Sequence, residues 1–171
     1  MNESAAPQGD NLQAEIEALI AELACSDVVR CQQARQALVD IGRPAVPALM
    51  ELLSQSNEAL RWEAAKALGE IADPAATDLF INSLEDDDFD IRWLSAEGLA
   101  AIGQEALVPL LKALTRHADS PWFRNGAHHY LRLMARRGLY DQLKPVLVAL
   151  DDAEAYLEVP TAAERVLDKF S

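Results

Sequence analysis

The chain repeats itself every thirty or thirty-one residues, and a period of that length admits few architectures. Leu60 to Ala72 reads LRWEAAKALGEIA, and Ile91 to Gly103 reads IRWLSAEGLAAIG. Upstream, Ala34, Ala37, Leu38, Ile41 and Gly42 hold the same register; downstream, Phe123, Arg124, Ala127, Leu131 and Met134 continue it. A worn fifth copy closes the chain at Val159, Ala163, Val166, Leu167 and Phe170. One such unit cannot bury its own apolar face, so its neighbours must supply the missing wall.

A second repeated segment alternates with the first. It is read from Val46, Leu49, Leu52 and Leu53, then Leu79, Phe80 and Leu84, then Leu107, Leu110, Leu111 and Leu114, then Leu143, Val146, Leu147 and Leu150; Ile16, Leu19 and Leu23 form an earlier copy. In both segments apolar residues recur at steps of three and four, which lays a stripe along an α-helix. Each repeat is therefore a first helix followed by a leucine-rich second helix, about ten helices in all. Gly42, Gly103 and Gly138 stand where first helices should end, since only glycine enters the left-handed region without a Cβ penalty. Pro44, Pro74 and Pro121 fit helix starts, and Pro47, Pro109 and Pro145 fit the first turn or so of second helices. Asp and Ser in the links can cap the next helix.

The VRxxAAxALGxIG form, with its leucine-rich second helix and acidic link, resembles the short HEAT-like repeats first associated with phycobilisome lyases. The resemblance runs from about Ile16 to Phe170. It implies an all-α fold, a right-handed α-solenoid of about five HEAT-like helical pairs with a concave inner face. Lyase subunits, degradation factors and scaffolds share this repeat, so the architecture does not carry a function with it.

Residues 1–10 are polar, contain Pro7 and Gly9, and are expected to be a flexible tail; residues 11–171 are expected to form a single repeat domain. Half of the 171 residues are apolar, enough for a continuous core. The chain has no signal-peptide stretch and no run approaching the roughly 20 apolar residues needed to cross a bilayer, which makes the cytoplasm the expected location. Cys25 and Cys31 lack zinc-ligand spacing and read as ordinary thiols. A formal charge of −13 opposes binding to nucleic acid or an anionic membrane. The charge is uneven: Lys112, Arg116, Arg124, Arg132, Arg136, Arg137 and Lys144 gather in one stretch, whereas Glu85 to Asp90 is almost continuously negative. That asymmetry could steer a partner or bring copies together head to tail.

Arg61, Arg92 and Arg124 share one repeat position just after a link, and their expected role is a structural ladder of guanidinium bonds to link carboxylates and carbonyls. With the small residues and Leu/Ile facing the core, the opposite side of the first helices carries Trp62, Glu63, Lys66 and Glu70, then Trp93, Leu94 and Glu97, then Asn125, His129 and Leu133. These are the candidate partner-binding residues. Trp62 and Trp93 are expected to be neighbours in adjacent units and, with Leu94, to offer a rigid apolar platform of the kind that dominates interface energy. In the fourth unit His128 and Tyr130 replace small residues equivalent to Ala65 and Ala67, which predicts a pocket or widened junction.

No phosphate loop, nucleophile elbow or HExxH motif is present, and the adjacent His128 and His129 point about 100° apart on a helix, poor geometry for a metal. The expected function is noncatalytic protein binding, as an adaptor, assembly factor or scaffold without a cofactor. The resemblance supplies the alternative: a bilin lyase subunit or chromophore chaperone acting on phycobiliproteins, with bilin as a transient ligand.

Overall fold

The computed structural model describes residues 7–24, 27–152 and 154–170. Among them are ten α-helices and no strand. They are α1 (Pro7–Glu22), α2 (Val28–Ile41), α3 (Val46–Leu53), α4 (Glu58–Ile71), α5 (Thr77–Ser83), α6 (Phe89–Ile102), α7 (Leu107–Leu114), α8 (Pro121–Met134), α9 (Tyr140–Leu150) and α10 (Ala155–Leu167). The architecture is all-α and HEAT-like, with the even-numbered helices as first helices and the odd-numbered as second. Helix α1 takes in the last four residues of the stretch expected as a tail. The remainder of that stretch, and Cys25, lie outside the described residues.

Helix ends follow from local chemistry. Asp27 accepts from the backbone N–H groups of Val29 and Arg30, Asn57 from that of Leu60, Asp88 from those of Asp90 and Ile91, and Ser120 from that of Phe123, so four first helices start on side-chain caps. Gly42, Gly103 and Gly138 all have positive φ, at 72°, 84° and 107°. Ala72, in register with Gly42, adopts φ 55° despite its Cβ, so the turn geometry is imposed by the repeat and glycine merely lowers its cost. Short 3₁₀ turns at Arg43–Ala45, Pro74–Ala76 and Gly103–Ala106 lead into α3, α5 and α7. The fourth repeat differs: a π turn at Ala135–Leu139 joins α8 to α9, α9 starts early at Tyr140, and Pro145 consequently falls inside the helix.

The helices gather into two compact units, the first ending at Ile71 and the second starting at Ala72. In the first, α2 packs on α4, α3 on α4 and α1 on α2, around Ile16, Ala34, Leu38, Leu49, Ala64 and Leu68. In the second, α6 packs on α5 and α8, around Phe80, Ile91, Leu99, Phe123, Tyr130 and Leu131. Two glycines set the closeness of this packing. A Cβ on Gly98 would lie 2.5 Å from the Phe80 ring, and one on Gly126 would lie 2.7 Å from Leu84 Cδ2. Helix α10 departs from the repeat pattern by packing against α7 as well as α9, where its buried stripe of Val159, Ala163 and Val166 closes the end of the core.

Candidate functional site: an aromatic pocket on α6 and α8

The repeated arginines hold the links that lead into the first helices. Arg61 Nη1 donates to the carbonyls of Gln55 and Ser56, Arg92 Nη1 to those of Asp86 and Asp87, and Arg124 Nη1 to that of Ala118. The offsets of five and six residues recur, so each guanidinium clamps its own link to its own helix with charge-assisted bonds.

In the second unit this clamp is also part of a concavity. The Arg92 guanidinium lies 4.6 Å from the Trp122 ring centroid and 5.7 Å from that of Phe89. Together with Trp93, Ala96, Asn125, Gly126 and His129 these residues line a half-open pocket of about 180 Å³. Phe89, Trp93 and Trp122 are 65%, 48% and 49% exposed. One exposed aromatic is ordinary, whereas three around one hollow form a patch of the kind that marks a contact surface. Pre-existing stacking keeps the walls in place. Trp93 tilts against His129 with centroids 4.3 Å apart, and His129 Nε2 is in turn 2.5 Å from Glu97 Oε1. Gly126 lets Leu84 come close beneath α8, and Ala96 leaves the floor open because it has no side chain beyond Cβ.

Of the residues singled out from sequence, Trp93, Glu97, Asn125 and His129 meet at this site. Leu94 and Leu133 are half-buried and do not line the pocket. In the first unit Trp62, Glu63, Lys66 and Glu70 converge differently, around Arg35 of α2. Its guanidinium lies 5.6 Å from the Trp62 centroid, its Nη1 is 2.6 Å from Glu63 Oε2 and its Nε is 4.0 Å from Glu70 Oε1, while Lys66 Nζ lies 4.7 Å over the same ring. Trp62 is therefore half-buried between two cations.

Sequence reasoning missed Arg35, Phe89 and Trp122. Phe89 falls within the acidic stretch read as a link, and Trp122 in the first turn of α8 just after Pro121, outside the repeated positions. Their spacing held the signal, because Phe89 is four residues before Trp93 and Trp122 three before Asn125, steps that share a helix face.

The bulky pair of the fourth repeat resolves in another way. Tyr130 is fully buried and donates its hydroxyl to the Gly103 carbonyl at 2.9 Å, so the ring fills the core where a widened junction was expected. Burial raises the phenol above its usual value of 10.0. Arg137 donates to the Ala100 carbonyl at 2.6 Å, tying the π turn to the end of α6. His128 Nε2 lies 3.3 Å from Asp151 Oδ1 but without hydrogen-bond alignment. Its imidazole is held below the ordinary 6.5, first by burial and further by Arg132 and His129, against the pull of Asp151.

Among the described residues no three His, Cys, Asp or Glu side chains are grouped to hold a metal ion, and no helix is long and apolar enough to cross a membrane. What the pocket offers chemically is π faces, a cation already engaged by rings and carbonyls, and an ordered imidazole and carboxylate pair.

Comparison with known proteins agrees with the helix pairs. A chain in the structure of the complex of CpcE and CpcF of phycocyanin lyase from Nostoc sp. PCC7120 is similar in fold, with a TM-score of 0.61 and 24% identity, over 93% of this chain and 99% of that one. No curated protein matches the sequence. The HEAT repeats family matches over residues 16–92 and 77–168, which together take in most of the molecule, and the chain belongs to that family.

Proposed function

We propose that this chain is a noncatalytic protein-binding module, an adaptor, assembly factor or scaffold, whose contact centre is the pocket of Phe89, Trp93 and Trp122. The observation that supports it is size combined with lining. About 180 Å³ falls below the roughly 300–1,000 Å³ typical of small-molecule sites, yet suits one apolar side chain inserted between rings. Rigid aromatic walls lose little conformational freedom on contact, which is why such residues anchor interfaces. The exposed carboxylates of Asp90 and Glu97 lie on the same helix, α6, so the anchor best suited to this surface is an apolar residue with basic neighbours.

A photoreactive residue in place of exposed Asn125 tests the reading directly in cells of the source organism. One cross-linked protein, lost when Trp93→Ala or Trp122→Ala is added, is the expected result. In a binding assay with that protein each tryptophan substitution should cost about 2 kcal/mol while helicity stays unchanged. Cross-linking that persists in both variants would place the contact elsewhere.

A second reading, a bilin lyase subunit or chromophore chaperone, draws support from the likeness in fold to a chain of the phycocyanin lyase complex. Addition of a free bilin separates the two. A saturable change in its absorbance that needs Trp93 would favour the chromophore reading.

A further inference from the structure

A second concavity, on the opposite chemical footing, lies between α8 and α9. It measures about 500 Å³ and is lined by Arg132 and Arg136 from α8 and the turn after it, and by Tyr140, Lys144, Val148 and Asp151 from α9 and its C-terminal end. Arg132, Arg136 and Lys144 make no ion pair or side-chain hydrogen bond with any described residue. In a chain with 28 acidic and 15 basic side chains, three unpartnered cations around one groove are a local reversal of the molecule's charge. Asp151 is the only carboxylate among the described residues of its lining, so the groove sets three cations against one anion. Tyr140 and Val148 are 54% and 61% exposed, so apolar surface runs beside the cations.

We infer that this groove binds an acidic peptide segment of a protein partner, whose carboxylates pair with Arg132, Arg136 and Lys144 and whose apolar side chains lie on Tyr140 and Val148. Charge complementarity selects the acidic chain. Arg132 and Arg136 stand one turn apart, about 6 Å, which matches carboxylates at i and i+4 of a bound helix. An inorganic anion would leave Tyr140 and Val148 uncovered. A nucleic acid or an anionic membrane would face a net charge of −13 with few cations to oppose it, and the counterion release from three contacts is small. The inference is independent of the aromatic pocket, whose rings it does not use.

The test is fluorescence anisotropy of the full chain with a short labelled peptide carrying Glu at i, i+4 spacing and Leu between. Binding should saturate, weaken as salt is raised, and fall about tenfold or more in the double variant Arg136→Glu, Lys144→Glu, whose exposed positions leave helicity intact. Trp93→Ala should bind the peptide as the parent does. A peptide with Gln for every Glu that binds equally, or a charge-reversed protein that binds unchanged, would overturn the inference. So would full displacement of the peptide by low millimolar inorganic phosphate, which would make this a small-anion site. Sedimentation is the last arm: self-association of the parent that disappears in the double variant, without peptide binding, would assign the groove to a second copy instead.

Discussion

The junction of α2 with α4 and the junction of α6 with α8 are the same place in two repeats, yet one is filled and the other is open. In register, Arg35 and Trp62 of the first correspond to Ala96 and Asn125 of the second. Arg35 reaches over the Trp62 ring and bonds Glu63, so a tryptophan on the variable face is half-covered by a cation from the preceding first helix. Ala96 and Asn125 are too small to do the same, and the rings of Phe89, Trp93 and Trp122 surround the space they leave. The lesson is that a repeat position specifies which way a side chain points, while the size of its neighbour one repeat earlier decides what it meets.

The two units share one core register, and the largest expected effects test it. Leu68 and Leu99 are equivalent and both fully buried, so Leu68→Asp and Leu99→Asp should each cost about 4 kcal/mol or more, from lost packing and an unpaired buried carboxyl. Hydrogen exchange should speed up in the helices of the unit that carries each change. A variant that melts with the parent would show that its leucine is out of register.

An exchange of the junction residues sharpens the contrast at a smaller scale. Arg35→Ala removes the cation over Trp62 and the partner of the partly buried Glu63, with an expected loss of about 1–2 kcal/mol and easier acrylamide quenching of tryptophan fluorescence. Asn125→Trp is the converse: it restores a tryptophan at the repeat position, fills the pocket beside Trp93, and should abolish partner binding with little effect on stability. Quenching unaltered by the first change would mean that Arg35 does not shield the ring.

The smallest effect concerns His128 of α8, which stands in register with Ala65 and Ala96. Because burial depresses its proton affinity in the folded protein, the unfolded chain binds the proton first as pH falls through 6.5. The contribution is fully present above that value and is lost progressively below it, as pH falls toward the folded-state value. Denaturant midpoints measured near pH 7.5 and near pH 5.5 should therefore differ less for His128→Gln than for the parent. Equal differences would mean that His128 is solvated in the native state.

Much of this molecule is readable in one dimension. Leu38, Leu68, Leu99 and Leu131 recur at intervals of 30, 31 and 32 residues, and all four are fully buried, because a helical stripe is a local property of spacing. Gly42 and Gly103 end their helices at positive φ for an equally local reason, and Asp88 and Ser120 cap theirs. Tyr130 was legible only as a misfit. Its volume exceeds that of the small residues in register with it, but the Gly103 carbonyl that receives its hydroxyl is twenty-seven residues away, and no spacing announces that bond.

The period, the pairing of helices, the core stripe and the side of each first helix that faces away from it are local in origin, since they depend on the 3.6-residue turn and on backbone limits at a few positions. Packing between helices is what lets Arg35 cover Trp62, brings Phe89 and Trp122 to Trp93 around one hollow, makes Arg92 both clamp a link and wall a pocket, and seats α10 on α7. Those outcomes rest on the volumes and reach of side chains on different helices, and such contacts exist only once the helices have packed.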